Sequence, residues 1–250
     1  MFSRFILFWY LSQAKNTKIW GGRTLLLRAE NLSATFLSTT RMAKLYLLLY
    51  NGVSALLWAF IFYRCSIDIS NGYYLFEPGH GIPHKFMIAT QLFNSSFEFL
   101  HSVLGLVPTP IPTLLLQSFA RLIILIGICY VIPESPANYN VFTFAGLTLA
   151  WSITEIIRYG FYVLKLGKFS VPYWVLWLRY SAFFVLYPLG LVCESATVYY
   201  SYEVIATRLP SYSNFLKYAM PLYIPGFLYL YSYMIKQRRK VLNREKQKLI

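Results

Sequence analysis

Long apolar runs alternate with short polar breaks along this chain, and the breaks collect prolines, glycines and charges. A helix needs about 20 apolar residues to cross the hydrocarbon core of a bilayer. The runs predict six such helices, at about 45–63, 86–106, 112–132, 141–164, 173–197 and 215–235, joined by loops that include 64–85, 133–140 and a tyrosine-rich stretch at 198–214. The expected fold is therefore all-α, a polytopic bundle of six transmembrane helices. The chain lacks the period-two alternation of a membrane barrel.

The runs are not purely apolar, and their polar positions are spaced for helices. Gln91, Asn94, Glu98 and His101 recur at three- and four-residue steps and form one stripe on the second span. Such a stripe faces the bundle, because lipid does not solvate it. Gln117 and Arg121 are an i, i+4 pair on the third span, and Glu155 and Arg158 an i, i+3 pair on the fourth, with Tyr159 and Tyr162 near the same face. In the fifth span Tyr173, Tyr180, Tyr187 and Glu194 recur every seventh residue beside Arg179, and so lie along one slowly drifting helix face. Pro188 lacks an N–H, frees the carbonyl of Phe184 and predicts a kink there. For Arg121, Glu155, Arg158 and Arg179 the expected role is structural ion pairing.

Composition supports the membrane reading. The 250 residues are 57% hydrophobic and 19% aromatic, with only 13% charged. The net charge of +14 sits mostly at the two ends. Juxtamembrane cations mark the cytosolic side and attract anionic lipid, so the basic character does not point to nucleic acid. With six spans, both termini and the loop carrying Lys165 and Lys168 are expected in the cytosol, which would leave the sequon at Asn31 unmodified. Cys65, Cys129 and Cys193 have no metal-ligand spacing and read as buried, inert thiols. His80 and His84 have a spacing that would suit a metal on a helix, but Pro83 and the flanking glycines make the segment a loop, and no metal site is expected.

Residues 1–41 form a basic, acid-poor extension, expected to be disordered or to precede a physiological start at Met42; peptide mapping of the native N-terminus distinguishes these. Residues 42–235 are expected to form a six-span membrane domain, which the resemblance described next implies is catalytic, and 236–250 a basic tail. Its last five residues, KQKLI, resemble a dilysine signal for retrieval to the endoplasmic reticulum.

The segment LRYSAFFVLYPLGLVCE, with FEFLHSVLGLVP, QSFAR and WSITEIIRY, closely resembles the very-long-chain (3R)-3-hydroxyacyl-CoA dehydratases, also called the protein-tyrosine-phosphatase-like family. The resemblance runs from about residue 44 to the C-terminus. It implies a lyase of the endoplasmic reticulum membrane acting on an acyl-CoA at the third step of fatty-acid elongation. It also implies an elongase, a 3-ketoacyl-CoA reductase and an enoyl-CoA reductase as partners, a supply of sphingolipid precursors, and no cofactor. The family's catalytic pair falls on Tyr187 and Glu194. Phosphatase chemistry is excluded, since Ser102 stands where a nucleophilic cysteine belongs and Pro108 where an arginine clamps phosphate. A non-catalytic scaffold would lose the catalytic pair, and a transporter would show inverted repeats; neither feature is seen. Dehydration needs a base for the C2 proton and an acid for the C3 hydroxyl. Glu194 is assigned as base and Tyr187, a phenol protonated at neutral pH, as acid; the reverse assignment stays open. Tyr187 would lie about 21 Å along the fifth helix from Tyr173, deep in the membrane if that helix enters there.

Overall fold

A computed structural model describes the backbone of residues 22–72, 84–107, 109 and 111–247, with side chains at most of these positions from Arg41 onward. The loop holding His80 and the last three residues of the tail lie outside the described residues, as does the side chain of His84.

The described chain is all helical. Helix α1 (Gly22–Ser70) is followed by α2 (His84–Val103), α3 (Ile111–Leu122), α4 (Gly146–Leu166), α5 (Tyr173–Ser181), α6 (Phe183–Arg208) and α7 (Pro210–Gln247). Three stretches are long and apolar enough to cross a membrane: Arg41–Ser70, Val141–Leu166 and Tyr173–Arg208; Leu114–Tyr130 is a shorter apolar helix. Helix α1 starts upstream of the expected first span, so residues 22–41 are helical and continuous with it.

The membrane-length part of α1 shows why it sits where it does. Leu45, Leu49, Val53, Leu56, Phe60 and Tyr63 are exposed at three- and four-residue steps, while Tyr50, Asn51, Ser54, Trp58, Ile61, Cys65 and Asp68 are buried. The outward row is wholly apolar, while Asn51, Ser54 and Asp68 point inward among the core residues, the arrangement lipid favours. The three cysteines are unpaired and buried.

Helix α4 is the centre of the bundle. It packs on α1, α5 and α6, and α6 in turn packs on α7. Two departures from the expected elements matter. The stretch 198–214 is not a loop: α6 runs to Arg208, Leu209 makes the turn, and α7 starts at Pro210. No glycine or proline interrupts residues 198–209, and Ser201 donates to the carbonyl of Thr197, so the backbone has no cause to leave the helix. The third span is not wholly α-helical. Past α3, residues Ile123–Tyr130 form a π-helical segment, with Val131 N–H donating to the carbonyl of Ile126. Tyr212 of α7 donates to the Ile123 carbonyl at 3.4 Å, and a Cβ on Gly127 would overlap that hydroxyl. Glycine therefore lets α7 close on the widened turn.

Helix α6 continues through Pro188. The helix is interrupted instead six residues earlier, at Ala182 between α5 and α6, where no break was expected.

Candidate active site

The polar stripe of α2 faces inward and meets α1, α3 and α4. Asn94 accepts from Trp58 Nε1 at 2.8 Å and donates to Ser54 at 2.7 Å. His101 Nε2 lies 2.8 Å from the hydroxyl of Tyr46. Glu98 is 2.5 Å from Arg158 and accepts from Tyr159 at 2.7 Å. Glu155 holds two guanidinium groups, Arg121 at 2.5 Å through one oxygen and Arg158 at 2.6 Å through the other. Arg121 also donates to Gln91 at 3.3 Å. The expected Gln117–Arg121 pair does not form; Gln117 faces outward, because Arg121 turns inward to α2 and α4. Each charge in this cluster thus meets an opposite charge, the condition for keeping ions in a low-dielectric interior.

Tyr187 and Glu194 are separated from that cluster by Trp151. Both are half-buried on α6. Spacing alone puts their Cα atoms roughly 10.5 Å apart along the axis. The ring of Tyr187 stacks on Phe227 of α7, with centroids 4.9 Å apart and planes 7° from parallel, and Tyr231 lies next to it at 6.3 Å. This stack fixes the ring plane.

Trp151 is the residue that sequence reasoning passed over. Its indole N–H donates to Glu194 Oε1 at 3.1 Å, and the Arg121 guanidinium lies 4.9 Å from its ring centroid. It therefore connects the ion-pair cluster to Glu194. In the sequence it was only the first letter of WSITEIIRY, an indole indistinguishable from apolar bulk.

Tyr180 and Arg179 do not join the pair. Tyr180 packs edge-on against Phe161 of α4, and the Arg179 guanidinium lies over the Tyr180 ring, not in the ion pair expected of it. Tyr173, the first member of the seven-residue row, is exposed. Ser102 donates to the Thr109 carbonyl at 2.6 Å and closes a turn; Pro108 lies outside the described residues. Among the described residues no three His, Cys, Asp or Glu side chains come together as metal ligands.

A family model described as "Protein tyrosine phosphatase-like protein, PTPLA" matches residues 92–244. The chain is 34% identical over 227 residues to the very-long-chain (3R)-3-hydroxyacyl-CoA dehydratase PASTICCINO 2 of Arabidopsis thaliana, covering 86% of this chain and 99% of that one. It is 33% identical over 210 residues to the very-long-chain (3R)-3-hydroxyacyl-CoA dehydratase hpo-8 of Caenorhabditis elegans, covering 79% and 94%. Against the human very-long-chain (3R)-3-hydroxyacyl-CoA dehydratase 2 it is 30% identical over 221 residues, covering 82% and 84%. No solved structure matches.

Proposed function

The chain belongs to the protein tyrosine phosphatase-like family, PTPLA, and from that footing we propose that Tyr187 and Glu194 are its catalytic acid and base. It is a very-long-chain (3R)-3-hydroxyacyl-CoA dehydratase, a hydro-lyase of fatty-acid elongation. Glu194 takes the C2 proton, made acidic by the thioester carbonyl. The electron pair forms the C2–C3 double bond, the C3–O bond breaks, and Tyr187 protonates the departing hydroxyl to give water. Glu194 then holds a proton and Tyr187 has lost one, so a transfer between them resets the pair. The observation that carries this assignment is that α6 holds both groups two turns apart, with the Tyr187 ring stacked on Phe227 and Glu194 held by the indole N–H of Trp151.

We place six crossings in the membrane: α1, α2, α3 with its π continuation, α4, α6 and α7. Helices α2 and α7 fit this reading because Leu92, Phe99, Leu100 and Val103 on one, and Tyr218, Ile224, Leu228 and Tyr229 on the other, face outward. Six crossings put both ends on one side, and the cations from Lys236 onward make that side cytosolic. The residence is the endoplasmic reticulum. The partners are the condensing elongase and the ketoacyl- and enoyl-CoA reductases whose product and substrate this reaction links, and sphingolipid precursors are among the products. Masking the C-terminus with a tag should release the protein from the endoplasmic reticulum; unchanged residence removes the dilysine argument.

The test of the catalytic pair is conversion of a long-chain 3-hydroxyacyl-CoA to its 2-enoyl product by purified variants. Tyr187→Phe deletes only a hydroxyl and Glu194→Gln only a titrating group, and each lowers turnover by about 10²–10⁴ in folded protein. The double variant loses far less than the product of the single losses, because the two groups act as a unit. Near-normal turnover in either single variant removes the pair from the chemistry.

A further inference from the structure

Helix α7 carries a row of side chains toward Tyr187 and ends the row with a cation. Phe227 and Tyr231 stack along Tyr187. Tyr231 then meets Phe183 and Phe184 of α6, with centroids 5.4 and 6.1 Å away. Two turns beyond Tyr231, Arg238 lies 5.4 Å from the Phe184 ring and donates from Nε to Ser181 Oγ at 2.9 Å. Arg64, Arg121, Arg158 and Arg208 are held by carboxylates; Arg238 is seated on a neutral hydroxyl and a ring, and it is half-buried.

This contact also sets depth. The apolar part of α7 stops at Ile235, and Lys236, Arg238, Arg239 and Lys240 follow. Ser181 is therefore level with the start of the basic tail, and Tyr187 lies six residues, about 9 Å, further in. The stretch Tyr173–Arg208 has 36 residues, about 54 Å of helix against a hydrocarbon core of about 30 Å, so part of it must project. Tyr173, Trp174 and Trp177 are exposed on α5, as rings at a membrane–water interface are. The reacting centre is thus much nearer the surface than a span entering at Tyr173 would place it.

An acyl-CoA must put its thioester beside Tyr187 and Glu194 while its polyanionic nucleotide stays out of the apolar core. We propose that Arg238, seated on Ser181 and Phe184, binds the phosphate-bearing end of the CoA, and that the ring row from Phe184 through Tyr231 to Tyr187 carries the pantetheine arm inward. The proposal rests on Tyr187 marking the reacting centre. A guanidinium suits this task because its forked donors match phosphate oxygens while its plane stacks on a ring.

The experiment compares two substrates with one acyl chain, the 3-hydroxyacyl-CoA and the 3-hydroxyacyl-pantetheine that lacks the phosphates and nucleotide. Full-length protein is used in nanodiscs of neutral lipid. R238Q should raise KM for the CoA thioester about tenfold, the usual worth of one charge-assisted hydrogen bond. Its kcat, and its kcat/KM for the pantetheine thioester, should stay within about twofold on the same scale. S181A, which removes only the seat, should move the same quantity less. R239Q on the exposed neighbouring position should not separate the two substrates. Equal losses on both substrates make Arg238 a structural residue, and an equal effect of R239Q makes the tail a diffuse charge; either overturns the proposal. So does an effect of R238Q that appears only when anionic lipid is added and is the same for both thioesters, which assigns the cation to lipid headgroups. An unaffected R238Q also refutes it. Failure of the catalytic pair is read separately, as full activity in Tyr187→Phe.

Discussion

Glu155 and Glu194 are both carboxylates that helices carry into the bundle, and they are kept there differently. Glu155 is buried with one guanidinium on each oxygen, and Glu98 beside it takes Arg158 and the Tyr159 hydroxyl. Glu194 is half-buried and receives the neutral indole N–H of Trp151. Fixed charges on both oxygens suit a carboxylate that holds helices together, and leave it poorly placed to collect a proton. A neutral indole donor holds a carboxylate in place without setting a fixed charge on the oxygen it meets. On the proposed assignment the α2–α4 interior carries structure and the α6–α7 face carries the chemistry, and Trp151 joins them.

The largest effect should come from the structural side. Glu155→Ala leaves Arg121 and Arg158 buried without their shared counter-ion, a loss of about 3–5 kcal/mol. The variant should accumulate poorly and lose its fold at markedly lower temperature, as read by thermal denaturation in detergent. Glu194→Gln should melt close to the parent. A Glu155→Ala protein that melts normally and fails only in turnover would erase the distinction and move Glu155 to the chemistry.

The join is tested by Trp151→Phe, which keeps a ring over Arg121 and removes the donor to Glu194. One hydrogen bond to a charged group is worth about 1.5 kcal/mol or more, so kcat should fall about tenfold. KM for the acyl-CoA should hold, since the indole contacts the carboxylate rather than the thioester in this reading. In the Glu194→Gln background the same substitution should cost almost nothing further, measured as single-turnover rate. A purely structural tryptophan would cost the same factor in both backgrounds.

What the sequence made legible follows from what spacing encodes. The inward stripe of α2 could be read from Gln91, Asn94, Glu98 and His101, because polar residues at helical steps have only one face to occupy. The Glu155–Arg158 contact is local and was likewise visible. Arg121 was misassigned to Gln117 because its partners, Gln91 and Glu155, come from other helices, and no spacing within α3 reports them. Residues 198–209 were misread as a loop because Tyr and Ser lower hydropathy without breaking a helix; the missing glycine and proline were the better signal. The π segment within IILIGICY had no local signature, since uniform apolar residues fit either winding and the choice depends on Tyr212 arriving at Gly127.

The smallest effect separates neighbours on one helix-face row. Tyr180 and Tyr187 are seven residues apart, and spacing alone made them near equivalents. The structure parts them: Tyr187 turns to α7 and stacks on Phe227, while Tyr180 packs against Phe161 of α4 with Arg179 over its ring. The interruption at Ala182 lies between the two. Tyr180→Phe keeps the ring that makes the α4 contact and removes only a hydroxyl on the α5 side of that interruption. Turnover should therefore stay within about threefold of the parent, well short of the 10²–10⁴ that acid–base groups supply. The check is the same dehydration assay, run beside Tyr187→Phe at matched folded protein. A loss in Tyr180→Phe as large as that in Tyr187→Phe would mean that the row acts as one proton path, and that the division at Ala182 does not limit the chemistry.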